Sequence, residues 1–212
     1  MSFLVFYAGL SIAAHVVAPQ FGRVPLSCFD KGPLQIQSYF YCALNRHYVT
    51  PELAHVLTET AEEMDRVYPG TKTLVLDANF PFWNGFPLLP HLSHDDGKKA
   101  DLAFYYSDAA GYLAGATRSP IGYFAFENGP SNCGASWPTL RWNLDVLQPF
   151  WHDYDLDDDR LRAVLEILSR DDRVQKIFVE PHLVTRLGVA HSKIRFQGCR
   201  AARHDDHVHF QL

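Results

Sequence analysis

Apolar residues recur at helical spacing after residue 50. Thr50-Pro51-Glu52 supplies a capping hydroxyl, a proline at the first helical position and an acid. Leu53, Val56, Leu57, Thr60, Met64 and Val67 follow on one face, and Pro69-Gly70 ends the run. A strand is expected from Thr73 to Leu76, ending at Asp77, and another from Leu102 to Tyr106. Asn79 to Pro90, rich in proline, glycine and aromatics, reads as a shaped loop, and Ser107 to Pro138 as loops and short strands. Asp157 to Ser169 predicts a second helix with Leu161, Val164, Leu165 and Leu168 inward. Ile177 to Val179 reads as a strand, and Pro181 to Leu187 as a short helix closed by Gly188. The tail alternates: Val208, Phe210 and Leu212 on one side, His207, His209 and Gln211 on the other. Helices and strands mix without strict β-α-β order, so the expected class is α+β.

The chain of 212 residues, 47% hydrophobic, fits one domain with a sizeable core. Residues 1–22 form an apolar N-terminal segment ahead of a domain over 23–212. From Phe3 to Ala18 that segment is broken only by Ser11 and His15, and no charge precedes Arg23. Its length suits an export signal or a short anchor, although the basic residue that usually precedes a signal's apolar run is missing; a buried first element is the other reading. Membrane contact is expected only if the segment is an anchor. A net charge of −5 with no basic stripe argues against a nucleic-acid partner. The acids Asp153, Asp155, Asp157, Asp158 and Asp159 lack the central glycine and closing glutamate of a calcium loop, so they read as a helix start. Cys28, Cys42, Cys133 and Cys199 form no C-x-x-C pair; they allow two disulfides in an exported protein, in any of three pairings, or four buried thiols.

Two histidine clusters carry the chemistry. His207 and His209 leave the same face of the terminal strand. His94 and Asp101 are too far apart on a regular element, about 10 Å on a helix, so they meet only if the chain folds back, and Gly97 permits that turn. Two imidazoles and a carboxylate, with a fourth position left for water, is the donor count of a catalytic zinc site and a poor match for magnesium.

The pattern His94-x-x-Gly97-x-x-x-Asp101, followed much later by His207-x-His209, resembles the LAS metallopeptidases, the group of lysostaphin, D-alanyl-D-alanine peptidases and the hedgehog N-terminal domain. His91-x-Ser93-His94 and His204-Asp205-x-His207-x-His209 are closer still to the penicillin-insensitive murein endopeptidases, and Ile177 to Pro181 is similar to the strand before their last motif. The resemblance implies an α+β domain whose central antiparallel sheet, flanked by helices, carries one zinc on His94, Asp101 and His209. It implies that His207 stands beside the zinc water as the catalytic base, with His204 and His91 nearby. The carboxypeptidase branch carries a glutamate shortly before His-x-His; here no glutamate follows Glu180, which leaves the base role to His207 or His204. The implied activity is hydrolysis of peptide cross-links in peptidoglycan, in the periplasm or outside the cell. A zinc D,D-carboxypeptidase and a non-catalytic peptidoglycan-binding domain are the alternatives. Asp205 and Asp206 are expected either to orient histidine rings or to sit in an exposed turn. The aromatics Phe82, Trp83 and Phe86 are expected to wall the groove or to enter the core.

Overall fold

The computed structural model describes residues 2–89, 91–134 and 138–212. Pro90, at the end of the expected aromatic loop, and residues 135–137, late in the glycine-rich stretch, lie outside them. The elements run α1 (Ser2–Val17), a 3-10 turn (Ala18–Phe21), β1 (Val24–Pro25), β2 (Leu34–Ile36), α2 (Tyr39–Ala43), β3 (Tyr48–Val49), α3 (Pro51–Val67) and β4 (Thr73–Val75). They continue through β5 (Lys99–Ala103), β6 (Tyr106–Asp108), β7 (Gly111–Tyr112), a 3-10 turn (Gln148–Phe150) and β8 (Asp155–Leu156). Last come α4 (Asp158–Arg170), β9 (Lys176–Phe178), α5 (Pro181–Leu187), β10 (Ile194–Arg195) and β11 (His207–Gln211).

The expected α+β class holds. The main sheet has six strands in the order β10-β9-β11-β5-β4-β2. Its centre is antiparallel (β9, β11, β5, β4), and each edge adds a parallel pair. Two smaller sheets, β1-β3 and β7-β6-β8, flank it.

Alternation along β11 separates core from chemistry. Val208 and Phe210 are fully buried among Leu102, Ile177 and the inward faces of α3 and α4. Burial of a side chain such as Phe210 stabilises the fold by ~1.5–3 kcal/mol. The opposite face presents His207 and His209. α3 begins as its sequence requires, with the Thr50 hydroxyl accepting from the Leu53 amide at 3.3 Å. α4 is capped by Asp157, which accepts from the Arg160 amide at 3.0 Å, with Asp158 and Asp159 in its first turn, so the acidic cluster is a helix start.

One boundary differs from expectation. The second strand runs from Lys99 to Ala103, so Asp101 lies inside it rather than just before it. Lys99 and Asp101 sit on the site face, where polar residues are tolerated, while Ala100 and Leu102 fill the core face; the polar half of the alternation hid the strand.

Candidate metal centre

The antiparallel register of β5 and β11 sets His209 directly opposite Asp101, and His207 opposite Ala103. All three polar residues therefore share one sheet face. His94 arrives from the preceding loop. That loop turns at Gly97, whose φ of +81° favours glycine and where a Cβ would strike the Arg23 side chain at 2.4 Å. The Asn79 side chain holds the turn by accepting from the Gly97 amide at 3.0 Å.

Three donor atoms converge. His94 Nε2 lies 3.1 Å from His209 Nδ1 and 3.3 Å from Asp101 Oδ1, and His209 Nδ1 lies 2.8 Å from Asp101 Oδ1. Around a tetrahedral zinc with bonds of about 2.0–2.1 Å, neighbouring donors are separated by about 3.3 Å. The triangle thus fits that metal with small outward adjustments. His94 Nδ1 sits 2.8 Å from the Ala78 carbonyl, which can only accept. Nδ1 therefore carries the hydrogen, and in the neutral ring Nε2 presents a lone pair to the centre.

His91, His94 and Asp101 form a second, overlapping group able to hold a metal ion. His91 Nδ1 is 3.3 Å from Asp101 Oδ2 but only 2.8 Å from Asp77 Oδ2. It is committed to Asp77, which also pairs with Arg46. We therefore take His94, Asp101 and His209 as the tighter set, with His91 as a supporting ring.

The electrostatics favour a cation. Burial works against charge on Asp101, yet the surrounding imidazoles His94 and His207 hold its carboxyl well below the usual range. Burial pushes the His209 pKa down to about 4, leaving a neutral imidazole. His94 behaves differently: burial opposes its charge, but Asp101 and Asp77 outweigh it and raise its pKa. Without a metal, the carboxylates recruit a proton onto the ring that would otherwise serve as a ligand.

His207 stands on the same face without touching the donor triangle. Its Nδ1–H donates to Asp206 Oδ1 at 2.5 Å, so Nε2 faces the site, 3.8 Å from Asp101 Oδ2. Burial lowers its proton affinity, but Asp206 and Asp101 raise it further, to about 9. Asp206 is thus a buried ring-orienting carboxylate. Asp205 is also buried but pairs with Arg203 instead. His204 lies with its ring centroid 4.9 Å from that of His207. Burial and the neighbouring histidines His207 and His209 push its pKa well below the ordinary value.

The cavity over these residues has a volume of about 210 Å³ and is lined by His91, His94, Asp101, His204, His207 and His209, with Leu140 and Gln197 at its edge. A larger space of about 440 Å³ lies beside Arg141 and Arg203. Those arginines are already paired with Glu180 and Asp205, so of these two spaces the smaller holds the convergent donor atoms. Phe82, Trp83 and Phe86 do not line it. They cluster with Phe80, and Phe82 meets Phe21 after α1, away from the groove that sequence reasoning allowed them.

Three contributors escaped the sequence reading in whole or in part. Tyr123 donates its hydroxyl to Asp101 Oδ2 at 2.6 Å, and burial followed by the charge of Asp101 raises its pKa well above the usual value, so it stays a donor. Gly122 (φ +78°) lets the chain approach Leu76 so closely that a Cβ would meet Leu76 Cδ2 at 2.2 Å. Asp77 was visible only as the end of a strand. None of them has a spacing signal, because each acts on the site through tertiary packing. The four cysteines form two disulfides, Cys28–Cys42 and Cys133–Cys199. Compared with protein-family models and with curated proteins, the chain finds no match.

Proposed function

We propose that this chain is a zinc-dependent endopeptidase that hydrolyses peptide cross-links in bacterial peptidoglycan. The observation that carries the reading is the convergence of His94 Nε2, Asp101 Oδ1 and His209 Nδ1 within 3.3 Å of one another on one sheet face, with His207 beside them. Zinc held there would supply Lewis acidity, lowering the pKa of a water and polarising a carbonyl. A cation among the donors would oppose the positive charge that Asp206 and Asp101 favour on His207, which would free Nε2 to take the proton of the attacking water and return it to the leaving amine, with Asp206 fixing the ring through Nδ1. Tyr123 holds Asp101 Oδ2, which leaves Oδ1 aimed at the donor triangle.

The absence of a competing base supports the endopeptidase branch. Among the described residues lining the cavity there is no glutamate. Glu180, the last glutamate before His-x-His, is buried and held by Arg141 through bonds of 2.9 and 2.8 Å. The two disulfides support action in the periplasm or outside the cell.

Zinc content and muropeptide cleavage, measured on the same preparations, test the reading. The protein should bind about one zinc per chain. His94→Ala and His209→Ala should lose metal and activity together. His207→Ala should keep zinc while turnover falls by ~10²–10⁴. A folded protein that takes up no zinc would sink the proposal. Zinc lost from the His207 variant but kept by the His209 variant would reverse the two roles.

A further inference from the structure

Helix α1 is inside out. Tyr7, Ser11, Ala14 and Ala18 fall on one stripe facing the domain, and the domain satisfies their polar atoms. The Tyr7 hydroxyl donates to the Ala43 carbonyl at 2.6 Å. Asn45 Nδ2 donates to the Tyr7 hydroxyl at 3.3 Å and to Ser11 Oγ at 3.1 Å. His15 Nδ1 pairs with the Tyr48 hydroxyl at 2.9 Å. The outward positions Phe3, Leu4, Phe6, Leu10, Ile12 and Val16 are all apolar and 53–74% exposed. A surface helix facing water shows the opposite arrangement, with its polar residues outward.

The apolar face continues past the helix. Phe21, 45% exposed, packs edge-on against Phe82 at 5.4 Å, and Trp83 of the same aromatic cluster is 56% exposed. Tryptophan and other aromatics at the end of an apolar helix suit the boundary between acyl chains and headgroups. No Asp, Glu, Lys or Arg occurs in residues 1–22, so the face that α1 presents carries no charged residue of its own.

We propose that the docked α1 is a lipid-contact surface, lying along a bilayer with its outward face in the acyl region and Phe21 and Trp83 at headgroup level. From Phe3 to Val16 the contact is about 20 Å long. Crossing the bilayer instead would strip the hydrogen bonds of Tyr7, Ser11 and His15 in a medium that cannot replace them. The attraction is apolar only, since the segment carries no basic residue to seek anionic lipid. This inference does not rest on the peptidase reading.

Flotation of the full chain with vesicles tests it, using neutral phosphatidylcholine and, separately, vesicles enriched in anionic phosphatidylglycerol. The chain should float equally with both, and high salt should not release it. Leu10→Asp with Ile12→Asp should weaken binding about tenfold or more for each side chain, with circular dichroism and melting temperature unchanged. The milder pair Leu10→Ser with Ile12→Ser should weaken binding in the same direction and covers any folding defect of the first. Failure of the full chain to float, release by salt, a requirement for anionic lipid, or undiminished flotation of both variants would overturn the proposal. So would a lipid-independent dimer that the variants abolish, or removal of residues 1–18 from the chain made in an exporting cell.

Discussion

His47 gives a stability prediction that involves no catalytic group. The ring is buried between His15 and Tyr48, with centroids 5.4 and 4.6 Å away, and among the described residues neither of its nitrogens has a hydrogen-bond partner. Burial, with His15 as the second cause, pushes its pKa from 6.5 to about 4; the Tyr41 carbonyl, outside hydrogen-bonding geometry, offsets this slightly. Above pH 6.5 the ring is neutral in both folded and unfolded chains and contributes nothing to pH dependence. Between pH 6.5 and about 4 the unfolded chain takes up a proton that the folded chain refuses, so stability falls as pH falls. A displacement of about 2.5 at about 1.4 kcal/mol per pH unit gives a loss of about 3 kcal/mol. The perturbation is His47→Leu, which fills similar space without a titrating group. Urea unfolding of both proteins from pH 7 to pH 4 is the assay, and because the other histidines are common to both, only the difference matters. The variant should gain about 3 kcal/mol on the parent over that range. A difference that stays constant with pH would refute the argument that burial holds His47 neutral.

Tyr123→Phe removes the donor to Asp101 and should weaken zinc binding by ~10–100-fold with little change in melting temperature, read by competition with a chromophoric chelator. Unchanged affinity would show that Asp101 needs no such support. Replacing Cys133 and Cys199 by Ser opens a loop of 66 residues and should cost about 4 kcal/mol in denaturant unfolding, against no effect if the segment is already fixed by packing. Leu165→Ala, at a fully buried position where α4 meets the sheet, should cost ~2–5 kcal/mol by the same measurement.

The elements with a strong period were legible in the sequence. α3 and α4 carry wide apolar stripes and conventional caps, and β11 alternates without exception from His207 to Leu212. β5 was misplaced because a five-residue strand with Lys99 and Asp101 on one face offers too few apolar positions to mark its start. The donors of the candidate metal centre were legible because His94, Gly97 and Asp101 lie close in sequence and His207 and His209 share a strand face. Tyr123 and the Ala78 carbonyl were not, since their contacts depend on loops folding back over the sheet. The aromatic loop around Trp83 shows a further limit: composition revealed that these rings need a partner, not which side of the domain supplies it.

Asp101 and His209 are 108 residues apart along the chain yet face each other across two hydrogen-bonded strands. The intervening polypeptide leaves the sheet after β5, rejoins it as β9 and β10, and comes back beside β5 as β11. The length of the loops between these elements matters little to the donors, because doubling a flexible loop costs only about 0.6 kcal/mol. A single residue inserted within Lys99–Ala103 or His207–Gln211 has the opposite effect, turning Asp101 or His209 to the core face. The domain is thus open to insertions in those loops that reshape the rim of its cavity and closed to any that touch the paired strands, so the cavity can change shape while the donor geometry stays untouched.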